Sequence, residues 1–399
     1  MVELLAPVSD RIMLKAAIDA GADAVYFGLK KLNMRATAKN FTLEELSEIV
    51  KQCHDSNVKV FLTVNTIIYN NEIEDVKKVI KSAKQAGVDA IICWDMAVIN
   101  ECKKNNIEFH ISTQASVSNV ESARFYKNLG AARIVLAREL SLKQVKEIIE
   151  KTGIQVETFV HGAMCVSVSG RCFLSQHLFN RSANRGDCLQ PCRRKYKITD
   201  VEEPKNELEL GESYVMSPKD LCALPFLDKL IDAGITCFKI EGRARSPEYV
   251  KTVTEVYRKS IDAVKNNNFN QSLITKFTEK LKSVYNRGFS NGFYFGAPTN
   301  DDFTNSSGSK ATTKKIYIGY IANFFKNNMV AEVKVEAGKL KIGDKIMVQG
   351  ETTGVKEQIV DSMEINHKKV EEVEKTNVGV KLDFTSRKND KVFLIKNID

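Results

Sequence analysis

The first part of the chain, about 300 residues, alternates between two patterns of apolar and polar positions. Short apolar runs rich in β-branched residues predict strands, and amphipathic segments with a helical period lie between them. The runs predict eight strands: VELLAPV (2–8), ADAVYFG (22–28), VKVFLTVN (58–65), DAIICWD (89–95), IEFHIST (107–113), ARIVLAR (132–138), IQVETFVHG (154–162) and ITCFKIEG (235–242). A doubly wound open sheet would alternate similarly, but eight strand–helix units favour a TIM-type (β/α)8 barrel.

Polar residues concentrate where the predicted strands end. They are Asn65, Asp95, Thr113, Gln114, Arg138, Glu139, His161, Glu241 and Arg243. Barrel enzymes build their active sites on the rim formed by the carboxyl ends of the strands. The sequence therefore predicts a site at this end of the barrel.

The predicted seventh and eighth strands are separated by an insertion at about 163–234. It contains five of the nine cysteines, Cys165, Cys172, Cys188, Cys192 and Cys222. Long connections inside compact domains are usually functional. We therefore expect the insertion to contribute to the site.

Beyond the predicted barrel domain (1–296), the pattern changes twice. Residues 297–315 are polar and predict an interdomain linker. Residues 316–399 alternate apolar and polar positions between glycine-containing turns, which predicts a small antiparallel β-barrel. Its segments LKIGDKIMVQG and VGVKL resemble the second domain of translation elongation GTPases, which contacts RNA in those proteins.

Composition narrows the setting of the protein. No stretch approaches the roughly 20 apolar residues of a membrane helix, and the N-terminus lacks the features of a secretory signal. We expect a soluble, cytoplasmic protein, in which clustered cysteines indicate metal or redox chemistry before disulfides. The net charge is +9, and residues 163–199 hold seven Lys and Arg against one acid, Asp187.

The cysteine spacing is Cys165-x6-Cys172-x15-Cys188-x3-Cys192, with Cys222 following after 29 residues. It differs from the paired CxxC motifs of zinc ribbons. Iron–sulfur clusters tolerate irregular spacing, since each thiolate has only to reach one iron, and nearby cations offset the cluster's negative charge. An iron–sulfur cluster, a structural zinc ion and free thiols all remain open on the residues alone.

The segment ETFVHGAMCVSVSGRCFLS (157–175) resembles the signature of peptidase family U32, the collagenase-like peptidases. The similarity extends to LLAPV near the N-terminus and to NRGDCLQPCR (184–193), SPKDLC (217–222) and KIEGRARSPEYV (239–250). Members of the family take part in 5-hydroxylation of wobble uridine in tRNA, hydroxylation of 23S rRNA cytidine, and oxygen-independent ubiquinone hydroxylation. The resemblance covers the predicted barrel essentially end to end.

The resemblance implies a cofactor. The quinone-hydroxylating members hold a 4Fe-4S cluster through cysteines that match Cys165, Cys172, Cys188 and Cys222. Another member uses the equivalent of the Cys188 and Cys192 pair, so Cys192 is the alternate ligand. We expect Cys222 to be the fourth ligand.

The tRNA-hydroxylating members share the plan of a barrel followed by a small β-domain, and they require prephenate. The resemblance therefore implies iron–sulfur-dependent and prephenate-dependent hydroxylation of wobble uridine, with tRNA as partner. Alternatives are a collagenase-like peptidase, or a cluster-bearing factor for rRNA or quinone substrates that acts with a paralogous partner. HExxH and GxSxG motifs are absent from the sequence, but a dyad of Cys165 and His161 stays open.

Several residues are candidates for roles in such a site. A dicarboxylate needs guanidinium groups, for which Arg35, Arg138 and Arg243 are candidates unless they form ordinary rim ion pairs. Glu241 has a catalytic position on the rim. His161 could move a proton or bond a cluster sulfur, although a packing role is the alternative.

Two further sets complete the predictions. Glu157, in an apolar strand, is expected to pair with a basic residue such as Lys239 inside the barrel. The basic residues expected to bind tRNA phosphates, with a solvated charged face as the alternative, are Arg181, Arg185, Arg193, Arg194 and Lys195.

Overall fold

The computed structural model describes residues 2–194, 197–203, 207–209, 216–306 and 308–398. The strands of its first part are β1 Glu3–Pro7, β2 Ala24–Gly28, β3 Lys59–Thr63, β4 Ala90–Cys93, β5 Phe109–Ile111, β6 Arg133–Val135, β7 Gln155–Gly162, β8 Lys197–Thr199, β9 Glu207–Glu209, β10 Asp220–Cys222, β11 Cys237–Ile240 and β12 Phe289–Ser290. The helices are α1 Arg11–Asp19, α2 Leu46–His54, α3 Ile73–Ala86, α4 Met96–Lys104, α5 Val120–Leu129, α6 Leu142–Thr152, α7 Leu174–Phe179, α8 Leu227–Asp232, α9 Pro247–Lys265 and α10 Gln271–Lys282.

Strands β1 to β7 and β11 form a closed parallel barrel. Neighbours pair in chain order, and β11 closes the circle by pairing with both β1 and β7. All eight predicted strands are present, so the prediction of a TIM-type barrel is confirmed and the open sheet is excluded. The helices pack outside the barrel, where apolar residues of strands and helices form one continuous core.

The insertion joins the rim of the barrel through the short strand β10. Strand β10 pairs antiparallel with the end of β7, through Leu221 with Gly162 and Cys222 with His161, and parallel with β12. Strands β8 and β9 form a small hairpin within the insertion. Both ends of the insertion are therefore anchored to β7, and its cysteine-rich part lies over the barrel mouth.

The lower interior of the barrel contains buried charges. Lys239 Nζ donates to Glu157 Oε1 at 2.6 Å, and Arg133 Nη1 lies 3.5 Å from Glu157 Oε2 and 2.6 Å from Glu3 Oε1. Burial opposes the charge of Glu157, but Lys239 and Arg133 outweigh it and lower the pKa of this carboxyl. The expected pairing of Glu157 with Lys239 is present.

The C-terminal strands form a separate antiparallel unit with its own apolar core. They are β13 Thr313–Phe325, β14 Val330–Val335, β15 Lys339–Lys341, β16 Lys345–Gly350, β17 Gly354–Ile359, β18 Met363–Ile365, β19 Lys368–Lys369, β20 Glu372–Glu374, β21 Asn377–Lys381 and β22 Lys391–Asn397. Met347 and Val355 of this unit pack on Ala16 of α1, and Lys315 pairs with Glu248 of α9 at 2.8 Å.

The segment predicted as a linker is hydrogen-bonded to the insertion. Lys219 N donates to Asp302 O at 2.8 Å, and Thr304 N donates to Ser217 O at 2.9 Å. The segment therefore packs against the end of the insertion instead of crossing solvent. Within the described ranges, no helix combines the length and the apolar character needed to cross a membrane.

Replacing Glu157 by Gln should destabilise the barrel, because Lys239 and Arg133 would lose their shared buried carboxylate. We expect the free energy of unfolding to fall by about 3 kcal/mol, measured by urea denaturation. Glu147→Gln breaks an exposed pair with Lys151 on α6 and serves as the control, with little expected change. Equal, small effects of both substitutions would contradict a structural role for the buried pair.

Candidate functional site

A cavity of about 150 Å³ lies at the carboxyl end of the barrel strands, between the rim and the insertion. It brings together most of the residues that the sequence predicted for the site. These are Arg35, Arg138, Glu241 and Arg243 from the barrel, and Cys165, Cys172, Cys188 and Cys192 from the insertion.

Glu241 is the centre of a network of charges in the cavity wall. Its Oε1 accepts a hydrogen bond from Arg35 Nη2 at 3.1 Å, and its Oε2 lies 3.5 Å from the hydroxyl of Tyr26. Burial opposes the charge, but Arg35, Arg138 and Arg243 outweigh it and lower the pKa of Glu241 to about 2. Glu241 is therefore a fixed anion at neutral pH, and it organises the cations instead of accepting protons.

Two guanidinium groups that the barrel contributes to the cavity have only neutral hydrogen-bond partners. Arg243 Nη1 donates to Asn33 Oδ1 and Thr63 Oγ1, both at 3.1 Å, whereas Arg138 Nη1 donates to the carbonyl of Ala163 at 2.8 Å. Within the described chain, neither is within ion-pair distance of a carboxylate. Burial lowers the pKa of Arg243 to about 10, so it stays charged at neutral pH. Such groups can bind a carboxylate or phosphate of a ligand.

Four cysteines of the insertion line the same cavity. Cys165 is exposed, and the other three, Cys172, Cys188 and Cys192, are half-buried. The backbone amides of Leu174 and Gln190 lie 3.3 Å from the sulfurs of Cys172 and Cys188. Among the described residues, no three His, Cys, Asp or Glu side chains converge closely enough to ligate a single metal ion. The thiols are instead spread around the cavity wall.

Cys222, the expected fourth ligand, lies elsewhere. It is 3% exposed, it does not line the cavity, and its sulfur is 3.9 Å from the hydroxyl of Tyr257 on α9. Burial raises the pKa of this thiol to about 11. The geometry thus favours Cys192 over Cys222 as the companion of the other three cysteines, while the ligand set itself stays a prediction.

A β-bulge explains the positions of both Cys222 and His161. Phe159 pairs with Lys239 and His161 pairs with Ile240, so that one residue, Val160, is extra on β7. Side chains of a strand point alternately into and out of the barrel, and the extra residue reverses this order for the residues that follow it. Phe159 and Lys239 line the cavity, whereas His161 faces outward beside its neighbour Cys222 on β10.

His161 is consequently not part of the cavity, and the expected role beside the cysteines does not fit its position. Its ring packs between Tyr249, Tyr257 and Phe289, and it is 2% exposed. Burial, helped by the charge of Arg245, lowers the pKa of His161 to about 3. A neutral packing histidine is the interpretation that this environment supports.

Two arginines predicted to bind RNA are used inside the protein. Arg185 bonds the carbonyl of Ile67 and pairs with Glu72. Arg193 donates to Ser217 Oγ at 2.9 Å and to Pro218 O at 2.8 Å. The contacts of Arg185 hold the insertion on the barrel, and those of Arg193 join two parts of the insertion. Both guanidinium groups are thus engaged within the protein.

The other predicted RNA contacts differ in their surroundings. Arg181 pairs with Asp187, and Arg194 is exposed and stacks on the ring of Phe179 at 4.9 Å. Lys195 lies outside the described residues. Of this set, Arg194 is the described residue whose charge is open to a partner at the surface.

Sequence reasoning missed an exposed aromatic residue at the cavity mouth. Phe173 is 74% exposed although its neighbours Cys172 and Leu174 line the cavity. Nearby, Arg171 lies over the ring of Trp94, 5.8 Å from its centroid. The signal that could have shown this feature is an aromatic residue within the basic insertion, but exposure cannot be read from a single position.

Comparison with known proteins identifies the family. Residues 10–304 match the sequence profile of peptidase family U32. The chain belongs to peptidase family U32. An uncharacterized protease of Methanocaldococcus jannaschii is 46% identical over 99% of this chain and 98% of the relative.

Two further relatives have names that point to different activities. A collagenase of Porphyromonas gingivalis is 43% identical over 98% of this U32 chain and 97% of the relative. A tRNA hydroxylation protein of Bacillus subtilis is 36% identical over 86% of this chain and 82% of the relative. Both relatives align along most of their length, so family membership alone does not decide between peptide and RNA.

Replacing Glu241 by Gln should lower the stability of the U32 protein in a pH-dependent way. Because the folded-state pKa lies below the ordinary value, the contribution is present above about pH 4.5 and is lost as the pH falls toward 2. We expect a loss of about 3 kcal/mol at pH 7 and a smaller difference at pH 3, measured by urea unfolding.

The matched control is Glu150→Gln on the exposed face of α6, which should leave the pH dependence of stability unchanged. A difference between the wild type and Glu241→Gln that stays constant from pH 7 to pH 3 would show that the ionised carboxylate is not what stabilises the network.

Proposed function

We propose that this U32 protein hydroxylates carbon 5 of the wobble uridine in tRNA, using an iron–sulfur cluster and a small dicarboxylate such as prephenate. The observation that carries the proposal is a single cavity lined both by four cysteines and by the guanidinium groups of Arg138 and Arg243, which have no carboxylate partner among the described residues. The tRNA hydroxylation protein of Bacillus subtilis, which aligns along most of this chain, supports RNA as the substrate class.

The cysteines of the cavity suit a polynuclear cluster. Thiolates of such a cluster each bind a different iron and need not converge on one point, and backbone amides near the sulfurs tune its potential. Cys165, Cys172, Cys188 and Cys192 would hold it, beside the amides that face Cys172 and Cys188. When bound, the cluster would supply Lewis-acid or electron-transfer chemistry at the barrel mouth.

The dicarboxylate would bind deeper in the cavity. Arg243 is buried and Arg138 is half-buried, and exclusion of water strengthens charge-assisted hydrogen bonds to a carboxylate. The Arg35–Glu241 pair fixes the charges around them. A ligand with two carboxylates matches the guanidinium groups of Arg138 and Arg243, which the barrel contributes to the cavity.

The RNA base would enter from the insertion side. A base inside a duplex cannot reach a recessed cavity, so it has to be extruded from its stack or presented by a single-stranded loop. The exposed ring of Phe173 and the charges of Arg171 and Arg194 lie on this side of the protein. Aromatic stacking and phosphate attraction are the usual means of holding unpaired nucleotides.

The collagenase name of one relative favours proteolysis as a second candidate. The dyad that could carry it is not formed, because His161 faces away from the cavity and the contact of Cys165 Sγ is Ser167 Oγ at 3.0 Å. The same cavity would also suit a hydroxylation factor for rRNA or quinone that acts with a paralogue. The hydroxylation candidates differ in substrate, so analysis of tRNA, rRNA and quinones from a deletion strain distinguishes them.

Deletion of the gene tests the proposed substrate. We expect 5-hydroxyuridine-type nucleosides to disappear from digested tRNA, measured by mass spectrometry, and to return with the wild-type gene but not with Cys165→Ala. Parallel analysis of rRNA and quinones serves as the control for the other hydroxylation substrates. Unchanged tRNA nucleosides, with any paralogue also deleted, would contradict the proposal.

The fourth cluster ligand is tested by two matched substitutions, Cys192→Ser and Cys222→Ser. Since Cys192 lines the cavity and Cys222 faces α9, we expect Cys192→Ser to lose bound iron and sulfide as Cys165→Ala does. Cys222→Ser should retain both, as determined by metal analysis and visible absorption after anaerobic purification. The reverse result would assign Cys222 as the ligand.

A further inference from the structure

Gln114 follows strand β5 and lines the cavity from a short helical turn, Thr113–Ala115. It is 8% exposed. Its Oε1 accepts hydrogen bonds from Asn65 Nδ2 at 3.2 Å and from the hydroxyl of Ser112. The side chain is thus a buried amide whose oxygen is fully engaged.

The orientation of this amide follows from its neighbours. Asn65 Oδ1 accepts a hydrogen bond from the backbone amide of Met34 at 3.2 Å, so the Nδ2 group of Asn65 must point toward Gln114. A donor from Asn65 requires an acceptor, which places Oε1 of Gln114 on that side. The Nε2 group of Gln114 therefore lies on the other side of its amide.

Within the described chain, Gln114 Nε2 has no hydrogen-bond acceptor. This nitrogen is not one of the fully buried polar atoms that lack a partner, so it opens into the cavity that Gln114 lines, where the acceptor of a ligand can meet it. Unlike the guanidinium groups of Arg138 and Arg243, it is a neutral donor. A carbonyl oxygen of a neutral ring is a suitable partner for it.

We propose that Gln114 selects uracil over cytosine by donating a hydrogen bond from Nε2 to the carbonyl oxygen at carbon 4 of the base. Cytosine carries an amino group at that carbon, so two donors would face each other and the hydrogen bond would be lost. The assignment rests on the proposed function. It adds the residue that determines which pyrimidine is accepted.

The test compares two anticodon stem–loop RNAs that differ only in having U or C at the target position. Gln114→Glu keeps an oxygen for Asn65 and Ser112 but replaces the NH2 donor by a second oxygen, which is an acceptor. Gln114→Met removes both the oxygen and the donor. For each variant, the ratio of hydroxylation rates on the two RNAs and the two dissociation constants are measured. Thermal melting shows that each variant is folded.

We expect the preference for U over C to fall by about tenfold or more in both variants, in rate and in binding, since one base-edge hydrogen bond discriminates by about that factor. Thr113→Val is the matched control. Thr113 lines the same cavity, but its hydroxyl donates to Leu136 O at 3.3 Å. The Thr113→Val variant should therefore keep the wild-type preference for U over C.

The outcomes separate this inference from the proposed function. A wild-type protein that hydroxylates neither RNA overturns the proposed function and the inference with it. A wild type that acts on the U-containing RNA, with Gln114 variants that slow or weaken both RNAs equally, overturns the inference alone. That result would place the donor against another ligand of the cavity.

Discussion

Strand β7 closes the barrel against β11 and pairs with β10 of the insertion, so its pairing decides which of its residues and of the β10 residues face the cavity. The pairing contains one extra residue, Val160. Before it, Glu157 and Phe159 face the interior; after it, His161 faces the outer helices. Because β10 pairs with the same end of β7, Cys222 shares the outward orientation of His161.

The charges of the barrel interior are arranged in two levels with different consequences. At the lower level, Glu157 is enclosed by Lys239 and Arg133, so burial is compensated and the group is structural. At the upper level, Arg35 is paired with Glu241, while Arg138 and Arg243 have only neutral partners. The charges around Glu157 are thus satisfied within the barrel, whereas two cations at the cavity have no acid partner among the described residues.

The two names found among relatives can be weighed against this arrangement. A thiol peptidase needs an imidazole beside its nucleophile, and here the imidazole is separated from the cavity by the bulge. The hydroxylation of a base that we propose would need a recessed cavity, a redox or Lewis-acid centre and a way to hold unpaired nucleotides. The structure has a recessed cavity, four cysteines in its wall and the exposed ring of Phe173 next to two lining residues. In the basic insertion, Arg185 bonds the barrel, Arg193 bonds another part of the insertion, and Arg194 stays exposed.

The sequence by itself determined the eight strands, the position of the site at their carboxyl ends and the insertion with its cysteines, because local periodicity and spacing encode these features directly. It also indicated the pairing of Glu157 with Lys239. Only the tertiary structure decided that Cys192 and not Cys222 lies in the cavity, that His161 is outside it, and that Arg138 and Arg243 lack acid partners among the described residues. The positions of His161 and Cys222 depend on the offset between β7 and β11, where one extra residue reverses the side that the following side chains face. The surroundings of Cys192, Arg138 and Arg243 depend on which distant segments of the chain meet at the cavity.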